Sequence, residues 1–359
     1  NLEKDGAIVI GRTNTPEFSM RGTTDNLIHG RTYNPWNDWA SPGGSSGGAS
    51  AAVMSGMGSL AHGNDIAGSL RIPSTATGAC TVKPGLGRVP AYNPSQTQER
   101  GLIAQLMSVQ GVIAREIKDV RLGMQSLINY DPRDPWMVDM PFQSKEIKAP
   151  IKVGFTKETL GEPLHPAINK ALENAIDALK DAGYILEEIE LPEFEDAANF
   201  SAKTLFGEIK ALHEKDYKNL GSENFNLVAE NYFKIISPFE GEDLLLGMAK
   251  RSYFFREWNL FFRKYPLVLT PFLLYPTYEW NRDIQGLEGT KEVLAGMFYA
   301  HTMNYMGIPA GVVSANYNEG LPVGVQIIST RFREDIILNA CEAIEKRIGI
   351  MAEKLFERG

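Results

Sequence analysis

Two stretches rich in glycine and serine constrain the fold of this chain more than any other feature of its sequence. Residues 41–48 read SPGGSSGG, and residues 63–74 read GNDIAGSLRIPS. Glycine loses more conformational entropy on folding than any other residue, so ordered glycines indicate sharp turns or close backbone packing. Two such turns predict a site where backbone amides and serine hydroxyls converge. The residues alone are compatible with a phosphate cradle, a serine hydrolase or a purely structural core.

Several familiar catalytic motifs do not fit these stretches. A Walker A loop needs GxxxxGK[ST], and no lysine follows Gly47 or Gly48. A triad of His62, Asp65 and Ser69 is disfavoured, because triad partners meet in space and seldom lie so close along a strand and turn. The other histidines form no HExxH-type metal-ligand pair. Serine hydrolysis without histidine remains, with a neutral lysine activating the serine directly or through a second hydroxyl.

The overall composition limits the class of protein. The chain has 36 basic and 44 acidic residues, a net charge of -8, which argues against nucleic acid as a partner because phosphate contacts need a basic stripe. No apolar run approaches the roughly 18 residues that can span a bilayer, so no membrane partner is expected. Cys80 and Cys341 give neither a disulfide framework nor a zinc motif, and we predict a cytoplasmic location.

Strand and helix patterns alternate along the chain, which predicts an α/β fold. Residues 7–10 form a continuous apolar run that predicts a strand covered on both faces. Residues 165–183 carry apolar side chains at helical spacing and predict a surface helix that ends at Gly183. We expect one domain over residues 1–359, with approximately residues 195–263 as a more variable helical insertion.

The stretch from residue 6 to residue 90 resembles the amidase signature family of serine hydrolases. The matching segments are AIVIGRTNTPEF, TYNPWN, SPGGSSGGASAA, HGNDIAGSLRIP and VKPGLGRVP, with GIPAGVV and EGLPVGVQII further along the chain. The resemblance implies a mixed central β-sheet covered by helices on both faces. It also implies hydrolysis of a small carboxylic acid amide to the acid and ammonia or an amine, with no metal or organic cofactor.

The resemblance further implies a Ser–cis-Ser–Lys triad. Ser69 corresponds to the nucleophile that forms an acyl-enzyme. Ser45, which follows a cis peptide bond from Gly44, corresponds to the serine that relays the proton. Ser46 is expected to support this arrangement.

The turn around the nucleophile is expected to supply an oxyanion hole. The predicted donors are the backbone amides of Ile66, Ala67, Gly68 and Ser69. Ala67 stands where the family usually has glycine, but its amide is retained and can still donate. Asp65 and Arg71 flank the turn, and we expect them to hold it by hydrogen bonds or a salt bridge without taking part in bond-making.

The catalytic lysine of the family is predicted to be absent from this chain. Only Lys4 precedes Ser45, and Lys4 does not match the family's lysine motif. Because the family carries that lysine upstream of the serine pair, the chain is expected to lack its N-terminal part and to be inactive alone.

Two alternatives remain open at this point. One is the ammonia-producing chain of the tRNA-dependent amidotransferase, which supplies ammonia to a partner; the other is a non-catalytic homologue with the same fold. Ile72 stands where the amidotransferase motif typically has a polar residue, and this favours a free-standing amidase. Aromatic side chains in residues 253–262 indicate either an apolar acyl pocket or ordinary core, and the chain is expected to be able to form a homo-oligomer.

Overall fold

The computed structural model describes residues 1–358, and a mixed eight-stranded sheet forms its centre. The strands are β1 Asp25–Asn26, β2 Gly30–Arg31, β3 Leu60–Asp65, β4 Cys80–Lys83, β5 Val109–Ala114, β6 Lys152–Phe155, β7 Ile185–Glu188, β8 Leu267–Pro271, β9 Ala310–Asn318 and β10 Leu321–Ile328. β1 and β2 pair with each other, and the other eight follow the order β3-β5-β4-β9-β10-β8-β6-β7. Pairing is antiparallel from β3 to β8, whereas β6 pairs in parallel with both β8 and β7. The prediction of an α/β fold with a mixed sheet is confirmed.

Helices cover both faces of this sheet. They are α1 Gly47–Met54, α2 Arg71–Thr77, α3 Leu102–Met107, α4 Ile117–Leu127, α5 Pro166–Asp181, α6 Phe194–Leu220, α7 Glu223–Ile236, α8 Gly241–Phe262, α9 Gly286–Ala295, α10 Phe298–Met306, α11 Glu334–Ile348 and α12 Met351–Phe356. None of these helices has both the length and the apolar character needed to cross a membrane.

The central strands divide their side chains between two cores, as the two-residue period of a strand requires. On β9, Val313 and Ala315 join the core built with α4, α5 and α11. The alternate residues Ala310 and Val312 join the core on the opposite face, built with α6, α8 and α10. A sheet buried on both faces explains the continuous apolar run at residues 267–269 in β8.

The helix predicted over residues 165–183 is α5, which spans Pro166–Asp181. His165 caps its N-terminus by accepting a hydrogen bond from the backbone N–H of Ala167 through Nδ1. The stretch predicted as a helical insertion, residues 195–263, contains α6, α7 and α8. The single-domain organisation itself stays a prediction.

The strand predicted at residues 7–10 is wrong. These residues form no regular element, and Ile8, Val9 and Ile10 are 86%, 67% and 75% exposed. A strand needs a neighbour to satisfy its backbone groups, and none of the strands in residues 1–358 pairs with this segment. The apolar run predicted a buried strand, but no other part of residues 1–358 covers it.

The fold brings the two glycine-rich stretches together through the helices that follow them. The first stretch leads into α1, and the second connects β3 to α2. Ser50 on α1 donates a 3.1 Å hydrogen bond to the carbonyl oxygen of Pro73 on α2. Because α1 and α2 lie side by side, the turns at their N-termini are neighbours.

Candidate active site

The turns at Ser45 and Ser69 are joined by a backbone hydrogen bond. The N–H of Ser46 donates to the carbonyl oxygen of Ser69 over 3.1 Å. The Gly44–Ser45 peptide bond is cis, as the resemblance implies. Ser45 and Ser69 are 6% and 8% exposed, and Gly44 and Ser69 line the same cavity. The predicted nucleophile thus lies at the cavity, on a loop next to the one that carries the relay serine. Among residues 1–358, no hydrogen bond joins the hydroxyls of Ser45 and Ser69.

The glycines before Ser45 are required by close backbone packing. A Cβ atom on Gly44 would lie 2.2 Å from the carbonyl oxygen of Arg21. Gly43 has a φ of +77°, and a Cβ there would lie 2.8 Å from the Cα of Pro73. Both contacts involve backbone atoms that cannot rotate away. Glycine therefore lets this loop sit directly against its neighbours.

The carboxylate of Asp65 organises the turn that carries Ser69. Its Oδ1 accepts a 2.8 Å hydrogen bond from the backbone N–H of Gly68. Its Oδ2 accepts from the backbone N–H groups of Leu70 at 3.2 Å and Arg71 at 3.4 Å. One fully buried carboxylate therefore fixes the residues on either side of the candidate nucleophile.

Arg71 pairs with this carboxylate and extends the contact to distant parts of the chain. Its Nε lies 3.1 Å from Asp65 Oδ2, and both side chains are fully buried. Burial by itself raises the pKa of Asp65, but the Arg71 charge and the hydrogen bonds reverse this and hold that pKa below its usual value. Arg71 also donates to Gln326 Oε1 at 2.7 Å and to Asn304 Oδ1 at 2.5 Å. Asn304 in turn donates to the backbone carbonyl of Asp65 at 2.9 Å.

These contacts change the predicted oxyanion hole. The Gly68 N–H is committed to Asp65, so Gly68 does not fit the role of an oxyanion donor. The backbone N–H groups of Ile66, Ala67 and Ser69 have no hydrogen-bond acceptor among residues 1–358, and all three residues line the cavity. The residue of this turn with a left-handed backbone is Gly68, with φ +108°, whereas Ala67 has no positive φ. The replacement of glycine by Ala67 therefore causes no strain from a left-handed backbone.

The cavity beside Ser69 has a volume of about 550 Å³ and mostly apolar walls. Side chains from α6, α7, α9 and α10 form much of the wall, among them Leu205, Phe206, Ile235, Leu294 and Phe298. Binding pockets for small molecules are commonly concave, apolar and of this size. The arrangement can hold an apolar group next to a serine hydroxyl and three unpaired amides.

The lysines near the site differ in their surroundings. Lys4 is exposed, as expected of a surface residue. Lys83 is fully buried at the end of β4, and desolvation, with a further effect from Arg71, lowers its pKa to about 7. Its Nζ donates to the carbonyl oxygen of Pro84. Lys203 and Lys291 line the cavity. Within the part of the chain that the structure describes, no lysine hydrogen-bonds to Ser45 or Ser69.

Three polar residues of the site lie outside the glycine-rich stretches that predicted it. Asn304 and Gln326 anchor Arg71, and His301 lines the cavity. They come from α10 and β10, more than 200 residues from Asp65 along the chain. Of the three, only Gln326 could have been linked to the site from the sequence, because it falls within the matching segment EGLPVGVQII.

Comparison with known proteins gives consistent matches. The family model described as Amidase matches residues 1–338. An indoleacetamide hydrolase of Bradyrhizobium diazoefficiens is 42% identical over 358 residues, covering 99% of this chain and 68% of that protein. An A-type chain of the glutamyl-tRNA(Gln) amidotransferase of Agathobacter rectalis is 30% identical over 380 residues, covering 96% of this chain and 73% of that protein. The solved structure of 6-aminohexanoate cyclic dimer hydrolase complexed with substrate superposes with a TM-score of 0.81 at 24% identity, over 97% of this chain and 76% of that one, which supports the fold.

These matches support amide hydrolysis as the activity of the chain. The higher identity to the indoleacetamide hydrolase disfavours the amidotransferase alternative. The match to the indoleacetamide hydrolase spans 99% of this chain and 68% of that protein, and whether residues 1–359 are active alone stays a prediction.

Proposed function

Because the chain belongs to the amidase family, we propose that it hydrolyses a primary carboxamide with an aromatic acyl group, through an acyl-enzyme on Ser69. The observation that carries the proposal is the position of Ser69 on an apolar cavity beside the unpaired amides of Ile66 and Ala67. The name of the indoleacetamide hydrolase relative suggests indole-3-acetamide as the type of substrate.

The first half of the reaction forms an ester on Ser69. The Ser69 oxygen attacks the carboxamide carbon, a C–O bond forms, and the carbonyl electron pair moves to the oxygen. The backbone amides of Ile66, Ala67 and Ser69 donate to this oxyanion, and such preorganised donors contribute about 3–4 kcal/mol each to lowering the barrier. The C–N bond then breaks, and the nitrogen leaves as ammonia after taking up a proton.

The proton from Ser69 passes to Ser45 as Ser45 gives up its own proton to a base. The base returns this proton to the departing nitrogen. In the second half, water attacks the ester and gives one proton to the base, the Ser69–acyl bond breaks, the Ser69 oxygen takes the proton back through Ser45, and the acid is released. The resemblance implies a lysine as the base.

If the chain of residues 1–359 turns over amides and loses the activity on Ser69→Ala, the base lies within it. Replacing Lys83, Lys203 and Lys291 one at a time by Met then identifies which lysine is required.

The substrate class is tested by measuring kcat/KM for indole-3-acetamide, acetanilide and L-glutamine, with the released ammonia or aniline quantified. We expect indole-3-acetamide to be hydrolysed with the highest kcat/KM, because its ring fills the apolar cavity. Hydrolysis of acetanilide alone would instead indicate an aryl acylamidase, which cleaves an amide whose leaving group is an aromatic amine.

The alternatives give different results in the same assay. Release of ammonia from glutamine as the preferred reaction would favour the amidotransferase chain. Binding of indole-3-acetamide without turnover, unchanged in Ser69→Ala, would favour a non-catalytic homologue. The single-domain organisation, the cytoplasmic location and the capacity to form a homo-oligomer stay predictions.

A further inference from the structure

His301 is the one histidine on the wall of the cavity that holds Ser69. It lies on α10, one turn before Asn304, which anchors Arg71. Protein surrounds the residue, but it keeps some accessible surface because part of it faces the cavity. A polar ring is therefore built into a wall that is otherwise mostly apolar.

His301 contacts a serine on α6 through one of its two ring nitrogens. Ser201 on α6 is fully buried, and its Oγ donates a 2.9 Å hydrogen bond to the carbonyl oxygen of Ala198. The same Oγ contacts His301 Nδ1. A hydroxyl has one hydrogen, so a Ser201 that donates to Ala198 must accept from His301. In the tautomer in which Ser201 donates to Ala198, the hydrogen is on Nδ1 and Nε2 is an acceptor.

The imidazole is held in its neutral form. Burial, and secondarily the nearby Arg71 charge, lower the pKa of His301 to about 3. Among residues 1–358, Nε2 has no hydrogen-bond donor. With Nδ1 tied to α6, the opposite edge of the ring is the part left to meet a ligand in the cavity. With the hydrogen on Nδ1, that edge offers an unpaired acceptor to a ligand in the cavity.

We propose that His301 determines specificity by accepting, at Nε2, a hydrogen bond from an N–H group on the acyl part of the substrate. This inference rests on the proposed function, since it concerns the acyl group of the same amide. An indole ring matches the requirement, because it is apolar over most of its surface and carries one N–H donor. A ligand of the same shape without that donor leaves Nε2 unpaired, and a buried polar group left unpaired weakens binding.

The test compares two ligands in the Ser69→Ala protein, in which binding is measured by calorimetry without turnover. The ligands are indole-3-acetamide and benzothiophene-3-acetamide, in which sulfur replaces the N–H group. We expect the indole to bind about tenfold more tightly. Equal affinities, or no binding of either ligand, would overturn the proposal.

Variants separate the hydrogen bond from a general effect on the pocket. In the Ser69→Ala background, His301→Phe should bring the ratio of the two affinities to about one, while His301→Gln, which retains an acceptor, should preserve part of the preference. Met297→Leu changes the same wall with an apolar side chain of similar volume and should leave the ratio intact. A His301→Phe protein that weakens both ligands equally would show a merely structural role and contradict the proposal.

The result is independent of the catalytic assay. If wild-type protein binds indole-3-acetamide in preference to its sulfur analogue but does not hydrolyse it, the proposed reaction fails and the role of His301 stands. If it hydrolyses both with equal kcat/KM and binds both equally, the reaction stands and the role of His301 fails.

Discussion

The backbone N–H of Gly68 donates a 2.8 Å hydrogen bond to the Oδ1 atom of Asp65, three residues earlier in the same turn. This contact closes the loop between β3 and α2 with Ser69 directly after it. It removes one amide from the proposed oxyanion hole and leaves those of Ile66, Ala67 and Ser69 without an acceptor among residues 1–358. The geometry of the proposed nucleophile thus depends on a buried carboxylate that does not line the cavity.

The relay role of Ser45 predicts unequal effects at two adjacent serines. Ser45→Ala should lower kcat by about 100- to 10,000-fold, since it removes a group that transfers a proton in the transition state. Ser46→Ala should change kcat little, because its contact with Ser69 is made by the backbone N–H and its Oγ reaches only the carbonyl of Asn64 at 3.5 Å. Steady-state kinetics on an aromatic carboxamide measure both, and equal losses would contradict the relay.

The buried pair Asp65–Arg71 should support both stability and activity. Asp65→Asn leaves the Arg71 charge uncompensated in the interior, which is expected to cost about 3–5 kcal/mol of unfolding free energy. It should also lower kcat of the folded protein, because the turn at Ser69 loses its anchor.

A second buried pair provides the matched control for that change. Glu334 lies 2.9 Å from Arg88, both side chains are fully buried, and neither residue lines the cavity. Glu334→Gln should therefore destabilise the protein comparably in urea unfolding while leaving kcat of the folded protein near the wild-type value. Equal effects of the two substitutions on kcat would show that Asp65 has no positioning role.

The left-handed conformation of Gly68 should make this position intolerant of any side chain. A Cβ there would lie 2.8 Å from the Cβ of Ala300 in addition to the strain at φ +108°. Gly68→Ala is expected to cost about 3 kcal/mol of unfolding free energy from strain and overpacking together. Gly183→Ala, with φ +88° and open space around it, isolates the conformational part at about 1 kcal/mol. Thermal or urea unfolding that gave both variants the same loss would contradict the packing argument.

The buried amine of Lys83 predicts how stability changes with pH. Its pKa in the folded protein is about 7, below the ordinary value of 10.5 that applies to the unfolded chain. As pH rises from 7 towards 10.5, the folded protein has released this proton while the unfolded chain still binds it, so this group makes stability rise with pH. Urea unfolding across that range should show a smaller rise for Lys83→Met than for wild type. Identical pH dependence of the two proteins would show that Lys83 stays charged.

The sequence predicted the parts of the molecule that depend on local pattern. The spacing of apolar residues predicted helix α5, and the glycine-rich turns pointed to the candidate catalytic serines. Both features are determined by residues close together in the chain. The pattern failed at residues 7–10, where burial depends on a neighbour that apolarity alone cannot identify. It also could not assign the Gly68 amide to Asp65, or bring Asn304 and His301 to the site, since those contacts depend on tertiary packing.

Covalent labelling shows whether Ser69 is the residue that attacks the substrate. The wild-type protein is treated with a fluorophosphonate, an electrophile that reacts with activated serines, and the modified peptide is identified by mass spectrometry. We expect one adduct, on Ser69, and none on the Ser69→Ala protein. An adduct on Ser45, Ser46 or Ser50, or equal labelling of the Ser69→Ala protein, would contradict it.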